Sequence, residues 1–111
     1  MSIRVPKRGE LGFLDFNPQS GVEQAGRRPC LVLSPESFNQ ATGLAIVCPI
    51  RTHSGDWPFE IEVPQGLKIE GFILTDQVKS IDWRARKYQM KDEVPQETTQ
   101  QCLDIIHTFL S

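Results

Sequence analysis

Two polar stretches carry most of the residues that could do chemistry. The first is GVEQAGRRPCLVLSP, residues 21–35, in which Glu23 stands four residues ahead of Arg27 and Arg28 stands directly before Pro29. The second is RTHSGDWP, residues 51–58, in which Arg51, Thr52, His53 and Ser54 follow one another. A carboxylate can take a proton. Guanidinium forks match phosphate oxygens two at a time. Hydroxyls add donors, and an imidazole titrates near neutral pH. Taken singly, each has a plainer reading: a loop glutamate is usually solvated, and paired arginines usually make surface ion pairs. Taken together they suit phosphoryl chemistry, with metal-free RNA cleavage as a case they could serve. In that reaction the ribose 2′-OH attacks the adjacent phosphorus. The step needs a base for that proton, an acid for the leaving 5′-oxygen and positive charge on the phosphoryl oxygens. Glu23 can be the base, Arg28 the charge and Thr52 an extra donor. A guanidinium stays charged in proteins, which makes Arg28 a clamp rather than a proton donor. Arg27, His53 and a water are left as sources of the acid. No carboxylate or Cys/His cluster stands at metal-ligand spacing, so neither metal nor other cofactor is expected.

The elements that must position these groups are short. ELGFLDF (10–16) reads as a strand, closed by Asn17-Pro18. Residues 17–28 form a long loop without apolar periodicity, the kind that often carries function. PCLVLSP (29–35) and LAIVCPI (44–50) read as buried strands, with a helical turn at 36–43 between them and Pro49 marking the end of the second. Residues 51–58 form the second polar loop. FEIEV (59–63) alternates, with Phe59, Ile61 and Val63 on one face and Glu60 and Glu62 on the other. A turn follows at 64–71, then a strand at 72–81 that turns polar halfway, then a strand within 83–94. From Pro95 the period changes: Leu103, Ile106 and Leu110 recur at helical spacing over 95–110. The order suggests a small, mostly antiparallel barrel or sheet with a packed helix.

The chain has 111 residues, 39% of them hydrophobic, which bounds it to one domain, 1–111, with one modest core. No apolar run approaches the ~20 residues of a membrane span, and the N-terminus lacks an uninterrupted apolar stretch, so a cytoplasmic protein is expected. Cys30, Cys48 and Cys102 are widely spaced and read as small core residues. The formal net charge is −2. The positive residues nonetheless gather at 27–28, 51–53 and 79–87, so a basic patch can exist on an acidic protein.

Three segments, GELGFLDFNPQSGVEQAGRRPCLVLSP, VCPIRTHSGDWPFEIEV and GFILTDQVKSIDWRAR, resemble the MazF family of toxin endoribonucleases over nearly the whole chain. The pattern G-x-E-Q-x-G-x-R-P before an apolar strand is similar to the family's opening motif, and DQVKSIDWRAR resembles its enterobacterial branch. The resemblance implies the small SH3-like barrel of the MazF, Kid and CcdB toxins. It implies a homodimer that cuts single-stranded RNA, including mRNA, at short motifs without metal, leaving a 2′,3′-cyclic phosphate and a 5′-hydroxyl. It implies a MazE-type antitoxin whose acidic tail fills the RNA groove. It places the catalytic roles on Glu23, Arg28 and Thr52. RNA contacts fall on Arg27, Arg51, His53, Ser54, Gln77 and Lys79, with Asp76 in the same stretch, while Trp83 and Arg84 are structural or interfacial. The competing reading is a DNA gyrase poison without chemistry on the same barrel, as in the CcdB branch.

Overall fold

The computed structural model describes residues 4–16 and 26–110, and the strand that organises it is β3, Leu44–Arg51. One edge of β3 pairs with β2 (Gly26–Val32), which in turn pairs with β1 (Glu10–Phe16). The other edge of β3 has two partners: β6 (Lys79–Asp82) along Leu44–Val47, then β5 (Phe72–Leu74) at Ile50 and Arg51. β4 (Glu60–Glu62) pairs with β5, and β7 (Gln89–Glu93) with β1. Every pair is antiparallel, in the order β4-β5-β3-β2-β1-β7 with β6 also on β3. α1 (Glu36–Thr42) links β2 to β3, and α2 (Gln96–Leu110) follows β7. The expected mostly-β, barrel-like body with a C-terminal helix is what the chain forms.

Three boundaries differ from the sequence reading. β2 begins at Gly26, so Arg27 and Arg28 lie in a strand and not at the end of a loop. Pro29 is tolerated there because the β2–β3 pairing starts only at Cys30↔Pro49. Pro49 does not end β3. It falls between the last β6 pair, Val47↔Lys79, and the first β5 pair, Ile50↔Ile73, where a missing N–H costs no ladder bond. The stretch 72–81 is two strands separated by a 3-10 turn at Thr75–Gln77.

Strand alternation divides the core. Leu11, Leu31, Leu33, Cys48 and Ile50 face one way and pack with Ile73, Val94 and the α2 residues Cys102 and Ile106. Leu14, Cys30, Val32, Ala45 and Val47 face the other way, with Ile81 and Trp83. Burying each large aliphatic side chain stabilises by about 1.5–3 kcal/mol. α1 is held by Asn39, which is fully buried. Its amide donates to Pro6 O and Ser34 O, its side-chain oxygen accepts from Ser34 Oγ, and its carbonyl accepts from Trp83 Nε1 at 2.9 Å. All three cysteines are buried core residues. Burial pushes the Cys30 and Cys102 thiols up to about 12, so they stay protonated at neutral pH.

Candidate active site

β2 delivers its two arginines to opposite faces of the sheet. Arg28 shares a face with Cys30 and Val32, at the open end of the second core cluster, and pairs in register with Leu14. It is exposed, and among the described residues it has no hydrogen-bond or ion-pair partner. The register Val32↔Val47↔Lys79 puts Lys79 on the same face. The Lys79 ammonium is held below the ordinary lysine range, first by burial and then by the positive charges of Arg86 and Arg28. Three cations therefore share one region, an arrangement that an arriving polyanion relieves.

Arg27 is employed differently. Its Nη1 bonds Asp15 Oδ1 at 2.7 Å, and its Nη2 donates to Phe13 O and to Lys87 O. It ties β1 to the turn before β7, and the structure does not bring it together with Arg28.

The loop after β3 is organised by one carboxylate. Glu60 accepts from Arg51 Nη2 and Ser54 Oγ, each at 2.7 Å, from the Gly55 amide at 3.0 Å and from the Trp57 amide at 3.4 Å. Ser54 Oγ also accepts from the Asp56 amide. These donors favour the ionised form, and they hold the Glu60 carboxyl down at about 2, the Ser54 hydroxyl contributing most and the Gly55 amide next. A Cβ at position 55 would meet the Arg51 guanidinium, so a larger residue there would push the end of that side chain from its place beside Glu60. Thr52 and His53 are exposed at the start of the loop, without a hydrogen bond to the other described residues.

Opposite this loop stands the 3-10 turn. Thr75 fastens it, its hydroxyl and its amide both donating to Phe59 O, at 2.5 and 3.2 Å. Between loop and turn lies a cavity of about 290 Å³ lined by Arg51, Gly55, Trp57, Leu74, Asp76 and Gln77. The structure thus joins Arg51 to Ser54 through Glu60, Arg51 to Gln77 across the cavity, and Arg28 to Lys79 on the sheet face. Glu23 lies outside the described residues. The sequence reading missed two participants. Glu60 was given only its strand face, opposite Phe59, Ile61 and Val63, and no partners, yet its side chain is only 8% exposed. Trp57 was left without a role. A carboxylate a few residues after Ser54-Gly55 was the available signal, since such turns present amides to an acceptor.

Comparisons with known proteins give the chain a family and a fold. A family model described as a PemK-like, MazF-like toxin of type II toxin-antitoxin system matches residues 7–110. The endoribonuclease toxin MazF of Escherichia coli (strain K12) is 47% identical over 100 residues, covering 90% of this chain and 89% of that protein. The endoribonuclease PemK of Escherichia coli is 31% identical over 110 residues, covering 95% and 82%. The crystal structure of MazE-MazF (Form-II) from Deinococcus radiodurans superposes with a TM-score of 0.91 at 39% identity, covering 97% of both chains. The chain belongs to the PemK-like, MazF-like family of type II toxins.

Proposed function

We propose that this toxin is an endoribonuclease that cuts single-stranded RNA, mRNA included, and so stops translation and growth. The observation that carries the reading is Arg28: an exposed guanidinium without a partner among the described residues, beside Lys79 and Arg86, on a member of a family whose relatives are named endoribonucleases. Glu23 takes the 2′-OH proton, Arg28 stabilises the charge on the phosphoryl oxygens, and Thr52 donates to them. The 2′-oxygen bonds phosphorus as the 5′-oxygen leaves with a proton, giving a 2′,3′-cyclic phosphate and a 5′-hydroxyl. Arg27 is held by Asp15 and two carbonyls, which favours His53 or a water as the acid. No metal is assigned to the reaction. Arg51, His53, Ser54, Gln77 and Lys79 extend the RNA surface, whereas Arg27, on the opposite face of β2, is spent on Asp15 and two carbonyls.

The protein works in the cytoplasm, where mRNA is met; no helix of the described residues is long and apolar enough to cross a membrane. Its antitoxin is of the MazE type, as in the solved MazE-MazF structures it resembles. It acts as a homodimer. An apolar groove of about 360 Å³ supports this, with Leu33, Phe38, Ile46, Val78, Leu103 and Leu110 among its lining, since a second copy would cover that surface.

The test is incubation of the purified protein with a long single-stranded RNA in EDTA, with mapping of product ends. Cyclic-phosphate and 5′-hydroxyl ends at a short recurring motif are expected. Intact RNA would sink the nuclease reading and leave the gyrase poison. Cleavage that EDTA abolishes would sink the metal-free route.

A further inference from the structure

We infer that Tyr88 is a positioning residue for the Arg28–Lys79–Arg86 face: anchored through buried Glu10 to Arg4 of the N-terminal segment, it fixes the turn that carries Arg86. The inference rests on the RNA-cutting reading above.

Glu10, Gly12 and Leu14 share one face of β1, the face on which Leu14 meets Arg28 in register. Tyr88 fills the space over Gly12, where a Cβ would strike the phenol ring and the Gln89 carbonyl. The phenol hydroxyl donates to Glu10 Oε1 at 2.9 Å. The Glu10 side chain is 2% exposed, and its other oxygen meets Arg4 Nη1 at 2.7 Å. A buried carboxylate is tolerated only with such a countercharge and with donors for its oxygens. The segment that carries Arg4 is itself tied down. Val5 packs with Tyr88 on the second core cluster, Pro6 O accepts from Asn39 Nδ2, and Arg8 Nε donates to Leu33 O.

The main chain of Tyr88 closes the turn. Its amide donates to Trp83 O at 2.9 Å, and inside the turn the Arg86 amide donates to Asp82 O at 3.0 Å. Lys87 takes a φ of 55°, an uncommon conformation for a lysine. Such a residue persists where its surroundings hold it on both sides. Tyr88 is one side. The other is the end of β1, where the Asp15 amide donates to Arg86 O at 2.8 Å and Arg86 Nη1 donates to Asp15 O at 3.2 Å. Asp15 directly follows Leu14, the register partner of Arg28. After burial, the Arg86 charge is the largest influence holding the Lys79 ammonium down, ahead of Arg28, while Cys30 acts in the opposite sense. Tyr88 spends its hydroxyl on Glu10, so it acts through the turn and not on the substrate.

Three substitutions test this. Tyr88→Phe keeps the ring and removes the hydroxyl. Glu10→Leu removes the acceptor without leaving a buried charge unpaired. Val94→Ala, buried in the other core cluster, is the control for lost packing. Each is compared with wild type by kcat and KM on an RNA that the wild type cuts, by thermal midpoint, and by NMR titration of the Lys79 ammonium. Displacing a group by about 1 Å can cost ~10²-fold in rate, so the partial loosening in Tyr88→Phe and in Glu10→Leu is expected to lower kcat by about tenfold with KM within about twofold. The double variant should lose no more than either single one, because the two residues act as a unit. The Lys79 ammonium should rise toward the ordinary lysine range in both variants as Arg86 recedes. Val94→Ala should lower the midpoint and leave kcat and the Lys79 titration in place. The titration needs no RNA, so a wild type that cuts nothing sinks the nuclease reading while the positioning of Arg86 is still decided. An unmoved Lys79 titration in Tyr88→Phe would overturn that positioning. Wild-type kcat in Tyr88→Phe, or an equal kcat loss in Val94→Ala, would overturn its bearing on the reaction.

Discussion

Arg27 and Arg28 are neighbours with opposite employment. Arg27 spends its donors on Asp15, Phe13 and Lys87, whereas Arg28 has no hydrogen-bond or ion-pair partner among the described residues. The two substitutions should therefore separate stability from activity. Arg28→Ala is expected to lower cleavage by about 10²-fold, the usual effect of removing one main charge-stabilising donor. Its thermal midpoint should stay near wild type, as for other surface changes. Arg27→Ala is expected to lower the midpoint, because it strands Asp15 and two carbonyls. Paired measurement of kcat/KM and thermal unfolding checks both, and equal activity losses with unchanged midpoints would contradict the division. The pair of arginines before Pro29 was visible in the sequence, but their difference was not. Proline usually begins a strand because it lacks a donor, and here the strand starts three residues earlier, since the bare nitrogen sits beyond the last β2–β3 pair. Which face a residue takes depends on where the strand begins, so the start had to be seen.

The β3–β4 loop is an element whose shape depends on one ionised group. The Glu60 carboxyl lies near 2, below the usual carboxylate value of about 4.3, so the ionised form is favoured in the folded loop. A depressed carboxylate contributes stability that is fully present above its unfolded pKa and is lost as pH falls through the folded one. The loop is thus expected to loosen between roughly pH 4.5 and pH 2. Trp57 is exposed and Trp83 is 1% exposed, so tryptophan emission should report the loop in that window. Glu60→Gln should remove the transition, and an identical acid profile for the variant would contradict the assignment. Alternation in FEIEV gave the right face for Glu60 but not its neighbours. Only the return of residues 54–57 over β4 brings Ser54 and the amides onto it. α2, by contrast, was legible in outline, because Leu103 and Ile106 repeat with the helical period and meet the core. Leu110 continues the period yet is 70% exposed, which follows from the core ending before the helix does.

At the scale of the molecule, the formal net charge of −2 predicts no affinity for a polyanion. Folding overrides composition by gathering Arg28, Lys79 and Arg86 on one side. RNA binding should accordingly weaken with salt. Three neutralised phosphates give a slope of log K against log[salt] of about −2 for a single strand. Arg28→Ala should flatten it by about 0.7, measurable by fluorescence anisotropy on RNA with 2′-deoxyribose at the cut. Salt-independent affinity would exclude a charged groove. Clustering in sequence hinted at this patch, but the register that brings residues 28 and 79 to one face comes only from pairing through β3. That strand changes partner at Pro49, from β6 to β5. Lys79 hangs from the first partner, while Leu74 and the turn carrying Asp76 and Gln77 follow the second. The Arg28–Lys79 face and the Arg51–Gln77 cavity thus answer to different pieces of the scaffold. Substitutions around residues 54–58 and 75–77 can therefore accumulate while the strand face that holds Arg28 and Lys79 keeps its geometry.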